Sequence, residues 1–300
     1  MSAEQVTTRG ATGVAGAVSI LDRLGYRLQR LPLHVVIIIF CAVWVIPTVG
    51  MIINSFRALP DMQAAGWWTT LFPPHGFTFA SYQQVLAIEG VVPSIGYSIL
   101  ITIPATVIQL SIATMGAYAF AWMNFPGRNL FFIVIVGLMV VPIQMTLIPV
   151  LQFFKFAHLS GTIPAVWLAH SGYGLPFEVF LLRNYLGGLP REIFESAEVD
   201  GAGHSVRFLR IAVPMTLPAI ASLVIFVFLG IWNDLLVALT FLGVSPYRPF
   251  TVVIAQLTTS FGGGWQFLTA AAVMQMALPL AVFIFLQRYY IRGIVMSGMK

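Results

Sequence analysis

Carboxylates are scarce in this chain, yet four of its ten, Glu192, Glu195, Glu198 and Asp200, lie within nine positions. Paired carboxylates can act as general acid and base, but only when a partner group and a reacting bond are held between them. No such spacing is present here. A row of acids can also be a solvated loop, or the polar side of a helix that meets another protein. The stretch LPREIFESAEVDGAG fits the last reading. Ile193, Phe194 and Ala197 recur at helical spacing and make an apolar stripe, with Glu192, Glu195 and Glu198 on the other side. Pro190 suits the first helical position, and Gly201 stops the helix. Ser205 is placed to cap a second helix through Phe208 and Ile211. The pattern predicts a helix-turn-helix knob whose stripe enters a groove on another protein.

The remaining reactive side chains form no catalytic set. His34, His75, His158, His170 and His204 have no metal spacing and no cysteine partners. There is no phosphate-cradling G-x-x-x-x-G-K-[ST] loop, no H-E-x-x-H and no G-x-S-x-G elbow. The chain is expected to be no enzyme, with no metal and no cofactor of its own. Asp234 follows Trp232 and Asn233, an aromatic face and an amide suited to sugar hydroxyls. Bonding within a helix bundle is an equal reading for it. His170, Ser171 and Tyr173 lie around a Gly172–Pro176 helix breaker and are candidates, with the Trp232–Asn233–Asp234 set, for a solute path. Glu178, five residues before Arg183, reads as a snorkelling or locally paired acid. Gln109, Gln144 and Gln275 read as polar glue between helices.

The elements that carry these residues must sit in a bilayer. Apolar residues make up 59 % of the chain, charged ones 8 %, and the mean hydropathy is +0.91. A soluble domain carries about a quarter charged residues. Runs of helical length favour an all-α polytopic membrane protein over a β-barrel. Six transmembrane helices are expected near 33–53, 96–120, 129–151, 163–184, 214–242 and 266–287. Pro214 and Pro218 interrupt the start of the fifth. Residues 1–32 read as a flexible cytosolic lead with a short amphipathic piece near Ile20–Leu31, and 33–95 as the first helix and a long outer loop. Residues 96–287 form a five-helix core containing the knob loop 188–210, and 288–300 a cytosolic tail. The first apolar run is too long for a cleavable signal and reads as a retained anchor. Cys41, the single cysteine, reads as a small buried side chain.

Orientation follows from the cations. Placing both termini inside puts twelve of the fifteen basic residues in the cytosol and leaves Arg57, Lys155 and Arg248 outside. The same dispersion argues against a nucleic-acid partner, despite a formal charge of +5. The knob then lies in the cytosol between the fourth and fifth spans.

These residues carry a resemblance. Glu195-Ser196-Ala197, three residues, Gly201, nine residues, Ile211, one residue and Val213-Pro214 are similar to the EAA loop of ABC importer permeases, with Ser196 and Val213 as departures. Asp200 and Ala202 around the glycine resemble the carbohydrate branch. Trp232-Asn233-Asp234, Leu181-Leu-Arg-Asn-Tyr185 ahead of Leu189-Pro190, and the ending Arg292 to Lys300 resemble the second permease subunit of maltose-type and α-glucoside-type systems. The resemblance implies a coupling helix that docks on a separate ATPase through Glu195, Ser196, Ala197, Asp200, Gly201, Ala202, Ile211 and Pro214. It also implies a homologous second permease, two ATPase subunits holding ATP and Mg, an extracytoplasmic solute-binding protein, and a place in the bacterial inner membrane. A self-sufficient carrier is the main alternative. Pro190-Arg-Glu192-Ile-Phe-Glu195 approaches a mitochondrial-carrier signature but ends in the wrong charge, without the required repeat. A membrane enzyme using Asp234 and Glu178 lacks a partner base.

Overall fold

The computed structural model describes residues 8–257 and 264–297, and among them every regular element is helical. Apolar runs fold this way in lipid because a helix satisfies its own backbone donors and acceptors. Four helices are long and apolar enough to cross a membrane: Leu31–Ser55 within α1 (Thr8–Ser55), α4 (Val91–Trp122), His204–Trp232, and Trp265–Gln287 within α13 (Trp265–Ser297). A bent pair, α5 (Arg128–Leu138) and α6 (Ile143–Phe156), is apolar enough to cross only when taken together and is turned by 106° at a short break. The break ends on Pro142, whose ring disfavours helix at the preceding residue. The sequence pattern predicted one continuous span there. α7 (Ile163–Gly187) is 25 residues long but less apolar than the four. It lies along α4 in the most extensive helix pairing of the molecule.

The predicted break at Gly172–Pro176 is absent. α7 runs through Pro176, whose ring meets the carbonyl of Gly172, where no side chain adds crowding. The fifth predicted span is interrupted instead at Asn233–Leu235, between α10 (Val213–Trp232) and α11 (Leu236–Leu242). Before α10, a π-helical turn at Phe208–Ala212 takes up the strain ahead of Pro214, which falls in the first turn of α10. Pro218 lies inside α10, its carbonyl accepting from Ser222 Oγ at 2.9 Å.

The expected flexible lead is helix from Thr8 onward, continuous with the first span, so the piece at Ile20–Leu31 belongs to a 48-residue helix. Residues 1–7 and the last three of the tail lie outside the described residues, as does 258–263 of the loop expected at 243–265. α12 (Phe250–Leu257) occupies part of that loop. Cys41 is exposed rather than buried, because α1 sits at the edge of the bundle with Val36, Phe40 and Trp44 also outward.

The chain after α1 folds into α2 (Leu59–Ala64), a 3-10 turn at Trp67–Thr70 and α3 (Ala80–Ala87). Buried Arg57 ties it together: Nη1 donates to Asn54 Oδ1 at 2.9 Å, and Nη2 to the carbonyls of Asp61 at 2.6 Å and Ala65 at 2.9 Å. Trp67 lies against Gly50 of α1, where a Cβ would stand 2.7 Å from its Nε1.

Candidate functional site

The acidic stretch forms α8 (Arg191–Val199), with Pro190 immediately before it rather than in its first position. The end is a Schellman turn: Ala202 N donates to Ala197 O at 2.9 Å and Gly201 N to Glu198 O at 3.0 Å. Gly201 has φ +81°, a conformation most side chains resist. The chain then enters α9 (His204–Arg207), whose first turn closes on the Gly203 carbonyl. Ser205 is therefore inside that helix and caps nothing, contrary to its predicted role.

The apolar stripe is divided between two surroundings. Phe194, 2 % exposed, turns inward and stacks on Trp122 at the end of α4, with ring centroids 3.8 Å apart and planes 16° apart. The stripe was expected to enter a groove on another protein; its largest member instead fills one on its own chain, while Ile193 stays exposed. A second tie lies nearby: Tyr118 Oη of α4 sits 3.3 Å from His204 Nδ1 and 3.4 Å from the His204 carbonyl. A third joins the two arms, Arg207 Nη1 donating to Glu198 Oε2 at 2.8 Å. Glu192, Glu195, Ser196, Val199, Asp200 and Gly201 face outward, and Ala197 and Ala202 are half-buried. Ile211 is half-buried in the π-helical turn and Pro214 is exposed at the start of α10. A rigid knob thus stands on the end of α4 and is covalently continuous with α10.

The candidate path residues separate into different surroundings. His170 Nε2 and Asp234 Oδ2 come within 3.8 Å, so α7 and the α10–α11 break do meet there. Asp234 Oδ2 accepts from the backbone of Val237 at 2.9 Å and Ala238 at 3.1 Å, starting α11, and its carbonyl accepts from Thr251 Oγ1 at 2.9 Å. Asn233 is exposed and donates to Leu229 O at 3.0 Å. Trp232 is buried and exchanges hydrogen bonds with Gln275: its Nε1 donates to the Gln275 carbonyl at 2.9 Å, and Gln275 Nε2 to its carbonyl at 3.0 Å. Ser171 is buried and donates to Trp167 O at 2.7 Å, and Tyr173 Oη is buried with no partner.

Glu178 departs from its predicted role. It is 2 % exposed and accepts from Gln109 Nε2 of α4, across from Gly174, where a Cβ would collide with that amide. Arg183 lies over the Phe132 ring, 4.8 Å from its centroid. Residues five apart do not share a helix face, so the local ion pair cannot form. The pairs Trp122–Phe194, Tyr118–His204 and Gln109–Glu178 are separated by about seventy to ninety positions, and no sequence pattern links their members.

The chain is similar to known proteins in sequence and in fold. The profile of the family described as "Binding-protein-dependent transport system inner membrane component" matches residues 109–295. The osmoprotective compounds uptake permease protein GgtD of Synechocystis sp. is 47 % identical over 91 % of this chain and 93 % of its own length. The alpha-glucoside transport system permease protein AglG of Rhizobium meliloti is 45 % identical over 82 % of this chain and 68 % of its own. Among solved structures, a bacterial ABC transporter involved in alginate import superposes with a TM-score of 0.76 over 88 % of this chain and 97 % of that one, at 19 % identity.

Proposed function

This chain belongs to the family of binding-protein-dependent transport system inner membrane components, and on that premise we propose that it is the carbohydrate-type permease subunit of an ATP-driven importer. Relatives named for alpha-glucosides and for arabinooligosaccharides support a sugar or oligosaccharide as cargo. Its role is to form half of the translocation path beside a homologous second permease. The two ATPase subunits hold ATP and Mg, and an extracytoplasmic solute-binding protein delivers the solute. The chain crosses the membrane six times with both termini inside, α7 supplying the crossing its hydropathy leaves open.

The observation that carries this reading is the knob. α8 presents Glu192, Glu195, Ser196 and Asp200 outward while Phe194 fixes it to α4 and the π-helical turn fixes it to α10. A push on that outward face is transmitted to two membrane helices at once, which is what rocking one half of a bundle requires. In this assignment Glu195, Ser196, Asp200 and Gly201 meet the ATPase, while Ala197, Ala202, Ile211 and Pro214 set the geometry beneath.

Co-purification of the ATPase with the wild type and with Glu195→Ala plus Gly201→Asp is the test. Loss of the ATPase from a variant that still inserts supports the docking role. Unchanged association and unchanged solute-stimulated ATP hydrolysis would reject it and move a self-sufficient carrier to the front.

A further inference from the structure

A cavity lies at the opposite end of α4 from the knob. α4 has 32 residues, about 48 Å at 1.5 Å per residue. Trp122 meets α8 at one end, and Tyr97 lines the cavity near the other. The cavity encloses about 880 Å³ between the α3–α4 junction, α12 and the first turn of α13. Small-molecule sites commonly fall between roughly 300 and 1,000 Å³. None of the path residues of α7 or the α10–α11 break lines it.

The floor is a separate small core of Val85, Val91, Phe250, Val253, Ala270 and Ala271. Phe250 N donates to Ser98 Oγ at 2.8 Å, pinning α12 to α4, so the space is formed before any ligand arrives. Tyr97 and Phe267 supply aromatic surface, and Tyr247 holds the Tyr97 ring edge-on, centroids 5.5 Å apart at 82°. Polar groups of both kinds converge with them. Arg248 Nη1 donates to Gln256 Oε1 at 3.0 Å, Glu89 brings a carboxylate, and Gln266 Oε1 is buried without a hydrogen-bond partner.

That combination selects a ligand. An apolar molecule would leave the polar ends of Glu89 and Arg248 unmatched. An anion meets Glu89 and a cation meets Arg248. A polyhydroxylated ring offers donors, acceptors and a C–H face for the aromatic walls, and carries no charge.

We propose that this cavity is a binding site for a neutral polyhydroxylated solute, one or two sugar rings in size, on the face of the permease opposite α8. The site rests on the sugar-permease reading above and extends it by giving this chain its own solute contact. Tyr97 and Phe267 cover the ring, and Arg248, Glu89 and the Gln266 side chain of the wall surround its edges.

The test uses the assembled transporter in nanodiscs, without the solute-binding protein, with maltose and trehalose as probes followed by saturation-transfer NMR. Uptake by the complete system in vesicles is measured in parallel. Binding of at least one probe is expected, weakened roughly tenfold in Gln266→Ala and Tyr97→Ala, as loss of one good contact predicts. Uptake should show a raised KM with a smaller change in kcat. Co-elution with the partner subunits checks assembly. Should either truncation fail to assemble, Pro93→Trp fills the cavity from its exposed rim and is expected to abolish probe binding. If the wild type imports a probe but all the assembled variants bind and import it equally well, the cavity proposal is overturned and the permease reading stands. If the wild type imports no α-glucoside, the sugar reading falls and takes the cavity with it. Variants that lose association with the solute-binding protein while still binding maltose as the wild type does would assign the cavity to that protein and overturn the proposal.

Discussion

Phe194 sits on the amphipathic stripe that invites an intermolecular reading, yet its ring is spent on Trp122 of its own chain. Aromatic stacking adds about 0.5–1.5 kcal/mol to the burial itself. Phe194→Ala should therefore release α8 by on the order of 3 kcal/mol, seen as amide exchange across 191–199 accelerating roughly 100-fold. Phe194→Leu should cost under about 1.5 kcal/mol, and equal exchange in both variants would rule out the anchor. Asp234 makes a similar point inside the bundle. With two backbone donors of α11 on its Oδ2, Asp234→Ala should lower stability by about 1 kcal/mol. Asp234→Asn should retain most of it, as thermal unfolding of the purified chain would show. A carboxylate that starts a helix and one that holds a sugar look alike in the order of residues, because the break at Asn233–Leu235 that frees the amides of Val237 and Ala238 carries no proline or glycine signal.

At the scale of elements, two glycines carry the geometry for different reasons. Gly201 closes the Schellman turn at φ +81°, so Gly201→Ala should cost about 1–2 kcal/mol without touching any neighbour, since nothing lies within 4 Å of a Cβ there. Gly174 has an ordinary backbone but no room: a Cβ there meets the Gln109 amide and stands 2.9 Å from Glu178 Oε1. Gly174→Ala should displace the Gln109 amide from Glu178 and, with that buried pair broken, reduce the yield of folded protein, whereas Gly172→Ala, with open space around it, should not. Equal yields from the two would show that the Gln109–Glu178 contact gives way freely. The helix breaks also sort by cause. Proline signals were legible, yet Pro176 leaves α7 intact while Pro142 ends a 106° bend. Neighbouring helices decide whether a missing backbone donor bends a helix or is absorbed, and the chain order does not name those neighbours.

For the molecule as a whole, the distribution of basic residues predicts both termini inside, and two exposed positions test that expectation. Phe72 and Val199 are each 88 % exposed, one in the segment after α1 and the other on the knob. In a Cys41→Ser background, a membrane-impermeant maleimide applied to intact cells should label Phe72→Cys at once and Val199→Cys only after permeabilisation. The reverse pattern would overturn the assignment of both termini to the inside. The class of molecule is legible in composition and pattern alone: so little charge cannot cover a water-facing surface, and long apolar runs without alternation leave helices as the backbone that closes its own hydrogen bonds in lipid. The place of the knob is legible too, because a helix, a glycine stop and a second helix are local features encoded by neighbours. Which faces are used emerges once the helices pack. Phe194 under Trp122, Glu178 beside Gln109 and Trp232 across from Gln275 are pairings between distant segments. A side chain's role depends on what the other helix brings to it, and that information exists only once the helices have packed.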